Sequence, residues 1–207
     1  TADIDPKEVI LDWSNTELTY NGKNQQPTVE VKGLLDKDTC EATVTGAQKN
    51  VNPAAEGSSY TVNVTGLSNP NYKLPSLVSQ EFTIVPKEIG IEWSNLEFTY
   101  DGTKKVPTAT ATGLAEGDAC EIKVSVTESA AGKHTVKAEA VNNPNYKLPE
   151  KDIEAEYVIK KAETTFQKTD VKADLTGMTY TGSVQKLVTA GQVTGGTLMY
   201  KVNDGEW

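Results

Sequence analysis

Two tryptophans are the residues of this chain best suited to holding a ligand. Trp13 and Trp93 stand in the same Trp-Ser-Asn sequence, 80 residues apart. An exposed indole ring presents a large, rigid apolar face with a polar edge, and a pair of them could stack on sugars. The same duplicated placement is typical of packing residues at the end of a strand. Trp13 and Trp93 are therefore candidate binding residues, with packing in the core or between modules as the preferred interpretation.

Acidic side chains offer a second chemistry, the binding of calcium. Asp36 and Asp38 lie in one predicted loop, and Glu116 and Asp118 occupy the same two positions 80 residues later. Calcium prefers several oxygen ligands, but the dense Asp-x-Asp-x-Asp/Asn-Gly sequence of a calcium loop does not occur. A hydrolytic pair of carboxylates should not be copied in successive repeats. The sequence therefore predicts no metal, no cofactor and no catalytic residue, and we do not expect an enzyme.

The two cysteines point to packing rather than to redox chemistry. Cys40 and Cys120 hold the same repeat position 80 residues apart, whereas bridged cysteines need Cα atoms within a few ångströms. No Cys-x-x-Cys pair occurs in the sequence. We predict two free thiols buried in strands, acting as small hydrophobic residues. His134, the single histidine, takes the place of Tyr60 and is predicted to pack.

All of these pairs belong to one internal repeat. The heptapeptide Asn-Pro-Asn-Tyr-Lys-Leu-Pro occurs at 69–75 and again at 143–149. Upstream, Leu18-Thr19-Tyr20-Asn21-Gly22 recurs as Phe98-Thr99-Tyr100-Asp101-Gly102. Self-similarity of this length is the signature of a tandem array of one small module. Its structural positions are Tyr20, Gly22, Tyr72, Pro75, Tyr100, Gly102, Tyr146 and Pro149.

The repeat divides the 207 residues into segments. Residues 1–5 are a polar lead-in, residues 6–85 form the first repeat module and residues 86–161 the second. Residues 162–207 are a partial third module of a related repeat type. Each full module opens with Pro-Lys-Glu and almost no linker, which favours an elongated, semi-rigid rod over independent beads.

The hydrophobic pattern within each module predicts strands only. Alternation of apolar and polar residues, as at 28–32, indicates a half-buried strand, and no segment has a convincing 3.6-residue apolar period. The fold class is therefore all-β, with a small Ig-like β-sandwich as the preferred module and a β-grasp-like sheet as the alternative. The predicted strands are 8–13, 17–20, 28–32, 40–45, 60–64 and 81–85, then 89–93, 97–100, 108–112, 120–126, 134–140 and 153–159.

The heptapeptide is predicted to be a fixed crossover before the last strand of each module. Its two prolines should block both helix and strand pairing. We expect Tyr72 and Tyr146 to fold back on the core with their hydroxyls bonded to backbone. The tyrosine corner of sandwich domains is the nearest physical analogue.

The charge distribution excludes several classes of partner. The formal net charge is −9, and all 20 cationic side chains are lysines, with no arginine. Arginine supplies the planar fork that grips phosphate, so an acidic, arginine-free chain is not expected to bind nucleic acid or anionic lipid. No apolar run is long enough to span a bilayer. We expect no membrane insertion in this segment.

Taken together, these motifs resemble a known family. The string Trp-Ser-Asn-x-x-Leu/Phe-Thr-Tyr-Asn/Asp-Gly, followed by Pro-Thr, Gly-Leu, Cys and Asn-Tyr-Lys-Leu-Pro, is similar to the YDG/MBG-type repeats of large bacterial surface proteins and predicted adhesins. The resemblance covers residues 6–161. It implies an extracellular, non-catalytic segment of a bacterial cell-surface protein, secreted or wall-anchored, that serves as a stalk or adhesin spacer.

The alternative function is a binding module. Exposed aromatic residues or an open sheet edge would then hold a carbohydrate or a protein, and the partner would be a host glycan or a surface protein. In either case we expect a monomer.

Overall fold

The computed structural model describes residues 4–52, 58–164, 172–173, 179–183 and 188–189, and every regular element in these ranges is a β-strand. The all-β prediction is confirmed for this part of the chain. In chain order the strands are β1 Lys7–Glu8, β2 Ile10–Ser14, β3 Glu17–Thr19, β4 Thr28–Lys32, β5 Ala42–Thr45, β6 Tyr60–Leu67, β7 Tyr72–Lys73, β8 Ser79–Val85, β9 Lys87–Glu88, β10 Gly90–Ser94, β11 Glu97–Thr99, β12 Thr108–Thr112, β13 Ile122–Val124, β14 Gly132–Val141, β15 Tyr146–Lys147, β16 Glu154–Lys160, β17 Lys172–Ala173 and β18 Val188–Thr189.

Contacts divide the chain into two compact units that do not follow the repeat boundaries. Unit 1 comprises Thr1–Ser94, Thr108–Val126 and Val136–Ala155, so it contains the first module and much of the second. Unit 2 comprises Asn95–Pro107, Thr127–Thr135 and Glu156–Trp207. The junction between the two sequence repeats therefore lies inside unit 1.

In unit 1 the first module contributes a four-stranded sheet of order β3-β8-β6-β5. β3 runs parallel to β8, and the remaining neighbours are antiparallel. β2 and β4 form a separate antiparallel ribbon in which Trp13 faces Val29. The second module repeats this ribbon with β10 and β12, where Trp93 faces Ala109 in the same register. β13 pairs antiparallel with β14, and a register shift at Lys123/Val124 matches the shift at Thr43/Val44 between β5 and β6.

In unit 2, β11 runs parallel to β16, as β3 does to β8 in the first module. The ring of Tyr157 packs edge-on against Phe98, with ring centroids 6.1 Å apart. It also contacts His134 in a tilted arrangement, at 5.4 Å. His134 contacts the carbonyl oxygen of Ala130, as Tyr60 does that of Asn50. Most of the predicted third module lies outside the described residues. In its described part, β17 and β18 form one antiparallel pair.

The heptapeptide differs from its prediction, because it does pair as a strand. Tyr72 and Lys73 pair in parallel with Lys7 and Glu8, and β15 pairs with β9 in the same way. The pairing uses carbonyl acceptors, since Lys7 and Val9 donate their amides to Asn71 and Lys73. The prolines flank the paired residues and lose no hydrogen bond there, so their missing amides do not matter.

A hydrophobic core cluster in unit 1 draws on both modules. Its buried cluster is Tyr20, Val62, Phe82, Ile84, Ile89 and Tyr146, which come from both modules. Trp13 of β2 packs against this cluster, so the ribbon and the four-stranded sheet share it. The apolar interior therefore runs across the boundary between the repeats without a break.

Candidate functional site

The heptapeptide tyrosine closes a loop in the first module. Tyr72 is buried, and its hydroxyl donates to Asp38 Oδ2 at 2.6 Å while it accepts the Leu35 amide at 2.9 Å. The predicted bond to backbone is thus present. The hydrogen bond to the carboxylate is the main reason that the pKa of Tyr72 is raised.

The two asparagines of the heptapeptide place this tyrosine. Asn69 Oδ1 accepts the amide of Asn71 at 3.0 Å, an Asx turn that leads into β7. The side-chain amide of Asn69 also donates to the Thr39 carbonyl at 3.2 Å, which ties the turn to the loop that carries Asp38.

The second module reproduces this arrangement atom for atom. The hydroxyl of Tyr146 donates to Asp118 Oδ2 at 2.6 Å and accepts the Ala115 amide at 2.8 Å. Asn143 Oδ1 accepts the Asn145 amide at 3.0 Å. The duplicated sequence therefore codes for a duplicated set of hydrogen bonds.

Among the described residues, a third group joins this arrangement in the second module only. The hydroxyl of Tyr20, from the first module, donates to the same Asp118 Oδ2 at 2.7 Å. Its ring meets Tyr146 edge-on, with ring centroids 5.3 Å apart and an interplanar angle of 83°, a favoured aromatic geometry. We call Tyr20, Asp118 and Tyr146 the tyrosine joint, because they connect the two repeats within unit 1.

Two polar contacts and one close approach flank the tyrosine joint. Asn145 Oδ1 accepts the Val51 amide at 2.8 Å, and its Nδ2 donates to Asn50 Oδ1 at 3.2 Å. Gly22, at φ +79°, lies so near Ala115 that a Cβ on it would be 2.6 Å from the Ala115 Cβ. Glycine is therefore required at this turn both by its conformation and by the neighbouring module.

The electrostatics of the tyrosine joint favour protonated phenols beside an ionised carboxylate. Burial, followed by the bond to Asp118, raises the pKa of Tyr20 to about 12, and burial also raises that of Tyr146. The donated hydroxyls, Tyr146 first and then Tyr20, lower the pKa of Asp118. Both phenols thus stay protonated at neutral pH, whereas a nucleophile or a general base needs a pKa shifted the other way.

The two candidate binding tryptophans, Trp13 and Trp93, lie on the β2–β4 and β10–β12 ribbons of unit 1. Trp13 is half-buried and packs against the unit 1 core. Trp93 is also half-buried, and its buried indole nitrogen has no hydrogen-bond partner among the described residues. Two clefts, at Tyr72 and Tyr100, are lined by other residues.

The prediction for the cysteines needs correction. Cys40 and Cys120 are free, but both are only half-buried, and they precede β5 and β13 instead of lying within them. The strands begin two residues later, at Ala42 and Ile122, although the alternation of exposed and half-buried positions already includes both cysteines. Burial still raises the pKa of the Cys120 thiol, which packs beside the core.

The acidic loop residues have a role that the sequence did not reveal. Asp38 and Asp118 accept tyrosine hydroxyls, while Asp36 and Glu116 are exposed. Among the described residues no three His, Cys, Asp or Glu side chains come close enough together to hold a metal ion. The sequence did contain one signal for this role. The second acidic residue of the loop is aspartate in both modules, whereas the first is aspartate in one and glutamate in the other.

The remaining structural positions sit as turns and flanks. Gly102 has φ +82°, the counterpart of Gly22, and Pro75 and Pro149 are half-buried at the ends of the heptapeptides. Within the part of the chain that is described, no helix is long and apolar enough to cross a membrane. Comparison with protein-family models, with curated proteins and with solved structures finds no match to this chain.

Proposed function

We propose that this chain is a non-catalytic tandem-repeat segment of a bacterial cell-surface protein, where it acts as a stalk or adhesin spacer. The observation that carries the proposal is the tyrosine joint. Tyr20 of the first module is 2% exposed and is held by a buried aromatic contact and a charge-assisted hydrogen bond from the second. A spacer must keep its length under load, and a joint of this kind resists bending between repeats.

The resemblance of residues 6–161 to YDG/MBG-type repeats of bacterial surface proteins supports an extracellular location. A net charge of −9 spread over an arginine-free chain also suits a segment that stays hydrated between a cell wall and its surroundings. As in the sequence-based prediction, the repeats would follow one another in an elongated rod.

For the module we propose an Ig-like β-sandwich. Trp13 of the β2–β4 ribbon packs on the cluster that includes Val62 and Phe82 of the four-stranded sheet, so two layers share one core. The β-grasp alternative needs a helix across its sheet, and the described residues contain none.

A distance measurement between the repeats tests the spacer proposal. Spin labels are placed at Thr61→Cys and Glu139→Cys, two exposed strand positions of unit 1 in different modules, after Cys40 and Cys120 are changed to alanine. Double electron–electron resonance on dilute full chain should give one narrow distance. Asp118→Ala should broaden it, and a broad distribution in the unmodified background contradicts a stiff spacer.

Binding of a glycan or a surface protein is the second candidate, because both tryptophans are only half-buried. A glycan array probed with the full chain separates the two functions. Specific binding that is lost in Trp13→Ala or Trp93→Ala would favour the binding module, and uniform silence would favour the spacer.

A further inference from the structure

Tension along a chain acts differently on parallel and antiparallel pairs of strands. When the first strand is pulled by the chain before it and the second by the chain after it, an antiparallel pair opens from one end, bond by bond. A parallel pair must instead slide, so its evenly spaced hydrogen bonds are loaded together. β3 and β8 form a parallel pair of this kind in unit 1.

The hydrogen bonds of this pair extend over its whole length. Three residues of β3 lie opposite three of β8 in one register. At one end the Thr83 amide donates to the Thr16 carbonyl at 2.9 Å, and at the other end the Tyr20 amide donates to the Val85 carbonyl at 3.0 Å. Because the chain enters β3 beside Thr16 and leaves β8 beside Val85, tension is applied across the complete ladder.

Burial of the side chains opposes sliding as well. Phe82 is 2% exposed and Ile84 is 4% exposed, and Leu18 of β3 packs against the same core cluster. Successive residues of a strand face opposite sides of the sheet, so a slip by one position would move apolar side chains off the core face. The pair is therefore held by its hydrogen bonds and by the core at once.

Unit 2 contains the same pair in β11 and β16. Its register is again parallel and three residues long. The Val158 amide donates to the Leu96 carbonyl at 2.9 Å, and the Tyr100 amide donates to the Lys160 carbonyl at 2.8 Å. These bonds join the same positions of the repeat as in unit 1, so the arrangement belongs to the repeat and not to one copy of it.

The tyrosine joint adds a second connection between the strands that tension would slide apart. Tyr20 directly follows β3, and its hydroxyl donates to Asp118 at 2.7 Å. Lys87 lies two residues beyond β8 and pairs with Tyr146, whose hydroxyl donates to the same carboxylate at 2.6 Å. Sliding of β3 along β8 must therefore also pull Tyr20 away from Asp118.

We propose that β3 and β8 form a load-bearing clamp, which carries tension along the chain by resisting sliding, and that the tyrosine joint reinforces it. The function is mechanical, because the clamp keeps the segment folded while its two ends are pulled apart. The inference rests on the proposed function, since a stalk is the setting in which such tension arises. It goes beyond stiffness, because resistance to bending and resistance to sliding are separate properties.

Two pulling directions on the same strand pair test the clamp in the full chain. Attachment points at Glu17→Cys and Glu88→Cys slide β3 along β8, whereas Glu17→Cys and Glu81→Cys peel β3 away from one end. All three glutamates are exposed, and β3 is the edge strand of its sheet. Cys40 and Cys120 are first changed to alanine. Single-molecule force spectroscopy should give a rupture force at least about twofold higher for sliding than for peeling, because the bonds of the pair then break together.

Asp118→Ala tests the reinforcement by the tyrosine joint. It should lower the rupture force for sliding and leave the force for peeling unchanged, because peeling begins at the end of β3 away from Tyr20. Glu116→Ala is the matched control, since it removes an exposed carboxylate from the same loop, and it should change neither force. If Asp118→Ala loses its circular dichroism spectrum, Tyr20→Phe replaces it, because that variant removes the hydroxyl and keeps the ring.

Equal rupture forces in the two directions overturn the clamp, as does a higher force for peeling. An equal loss of force in both directions on Asp118→Ala overturns the reinforcement, because the variant has then weakened the fold as a whole. A narrow spin-label distance together with equal rupture forces leaves the spacer standing without a clamp. A broad spin-label distance together with a higher sliding force supports the clamp and removes the stiff spacer.

Discussion

The same heptapeptide lies in two places in unit 1, and only one of them is covered. At Tyr146 the carboxylate of Asp118 receives two phenolic hydroxyls and is half-buried. At Tyr72 the carboxylate of Asp38 receives one from the described part of the chain and is exposed. The hydrogen bonds inside the two loops are alike, so the difference comes from the first module, which places Tyr20, Val51 and Gly22 against the loop and heptapeptide of the second. A single repeat thus builds the receptor, but contact with a neighbouring repeat is needed to bury it.

The largest test of this difference removes the shared ring. Tyr20→Ala should lower the free energy of unfolding by about 3–5 kcal/mol, because a buried aromatic side chain leaves a cavity. Tyr100→Ala, at the same position of the other repeat but 39% exposed, should cost about 1 kcal/mol. Urea unfolding followed by circular dichroism reports both units. Equal losses of unfolding free energy in the two variants would mean that the contact of Tyr20 with the second module does not stabilise the fold.

A smaller effect should separate the two turn glycines. Gly22→Ala and Gly102→Ala both force a side chain into the left-handed region, which costs about 1–2 kcal/mol. Only at position 22 does the added Cβ meet Ala115, at 2.6 Å, so overpacking should add about 1–3 kcal/mol there. The difference between the two thermal unfolding curves measures the approach of the modules. A Gly22→Ala loss no larger than that of Gly102→Ala contradicts it.

Acid should weaken the joint through Asp118. Its pKa in the folded chain is depressed below 3.8 by the Tyr146 and Tyr20 hydroxyls, so the unfolded state takes up the proton first. The stabilisation is complete above the unfolded pKa of about 4 and is lost as the pH falls through the folded value. Asp118→Asn should therefore be less stable than the unmodified chain at neutral pH, and the gap should close on acidification.

The control for the acid experiment is Asp36→Asn, which changes the charge of a loop without touching a described tyrosine hydrogen bond. Its stability should stay parallel to that of the unmodified chain across the same titration. If the difference in stability between Asp118→Asn and the unmodified chain does not change with pH, ionisation of Asp118 does not stabilise the joint.

The smallest predicted effect on stability at neutral pH comes from the protonation of the Tyr20 hydroxyl. Its folded pKa is raised to about 12 from an ordinary 10.0, so this contribution is complete below 10.0 and is lost as the pH rises through about 12. Tyrosinate absorbance should rise together with unfolding in the unmodified chain. Tyr20→Phe should show a flatter alkaline loss of stability, and an unchanged curve would contradict the coupling.

Local patterning predicted much of the strand layout. The strands at Thr28–Lys32 and Thr108–Thr112 match residue for residue, because one buried face imposes a clean alternation. The strands near Cys40 and Cys120 were predicted to begin too early, because the alternation of burial starts before the first paired residues. The pairing of Tyr72 with Lys7 was not predicted, because the prediction considered only the missing amide hydrogens of proline. The pairing instead uses carbonyl oxygens of the heptapeptide as acceptors.

The candidate site was only half visible. That Tyr72 and Tyr146 would bond to backbone followed from the identical heptapeptides. That Asp38 and Asp118 would accept their hydroxyls did not follow, because an acidic residue in a loop has many uses, and calcium binding was the one considered. Nothing near Tyr20 in the sequence points to a residue 98 positions away.

What the amino-acid order determined by itself is the repeating unit: its strands, its turns and the internal bonds that each copy forms from its own residues. Those are short-range consequences of pattern and of side-chain chemistry, so equal sequences give equal results. Only the tertiary structure decided which copies touch, since Tyr20 and Tyr100 share a turn and differ in what covers them. Burial depends on which residues are neighbours in space, and burial is what distinguishes Tyr20 in the tyrosine joint from Tyr100.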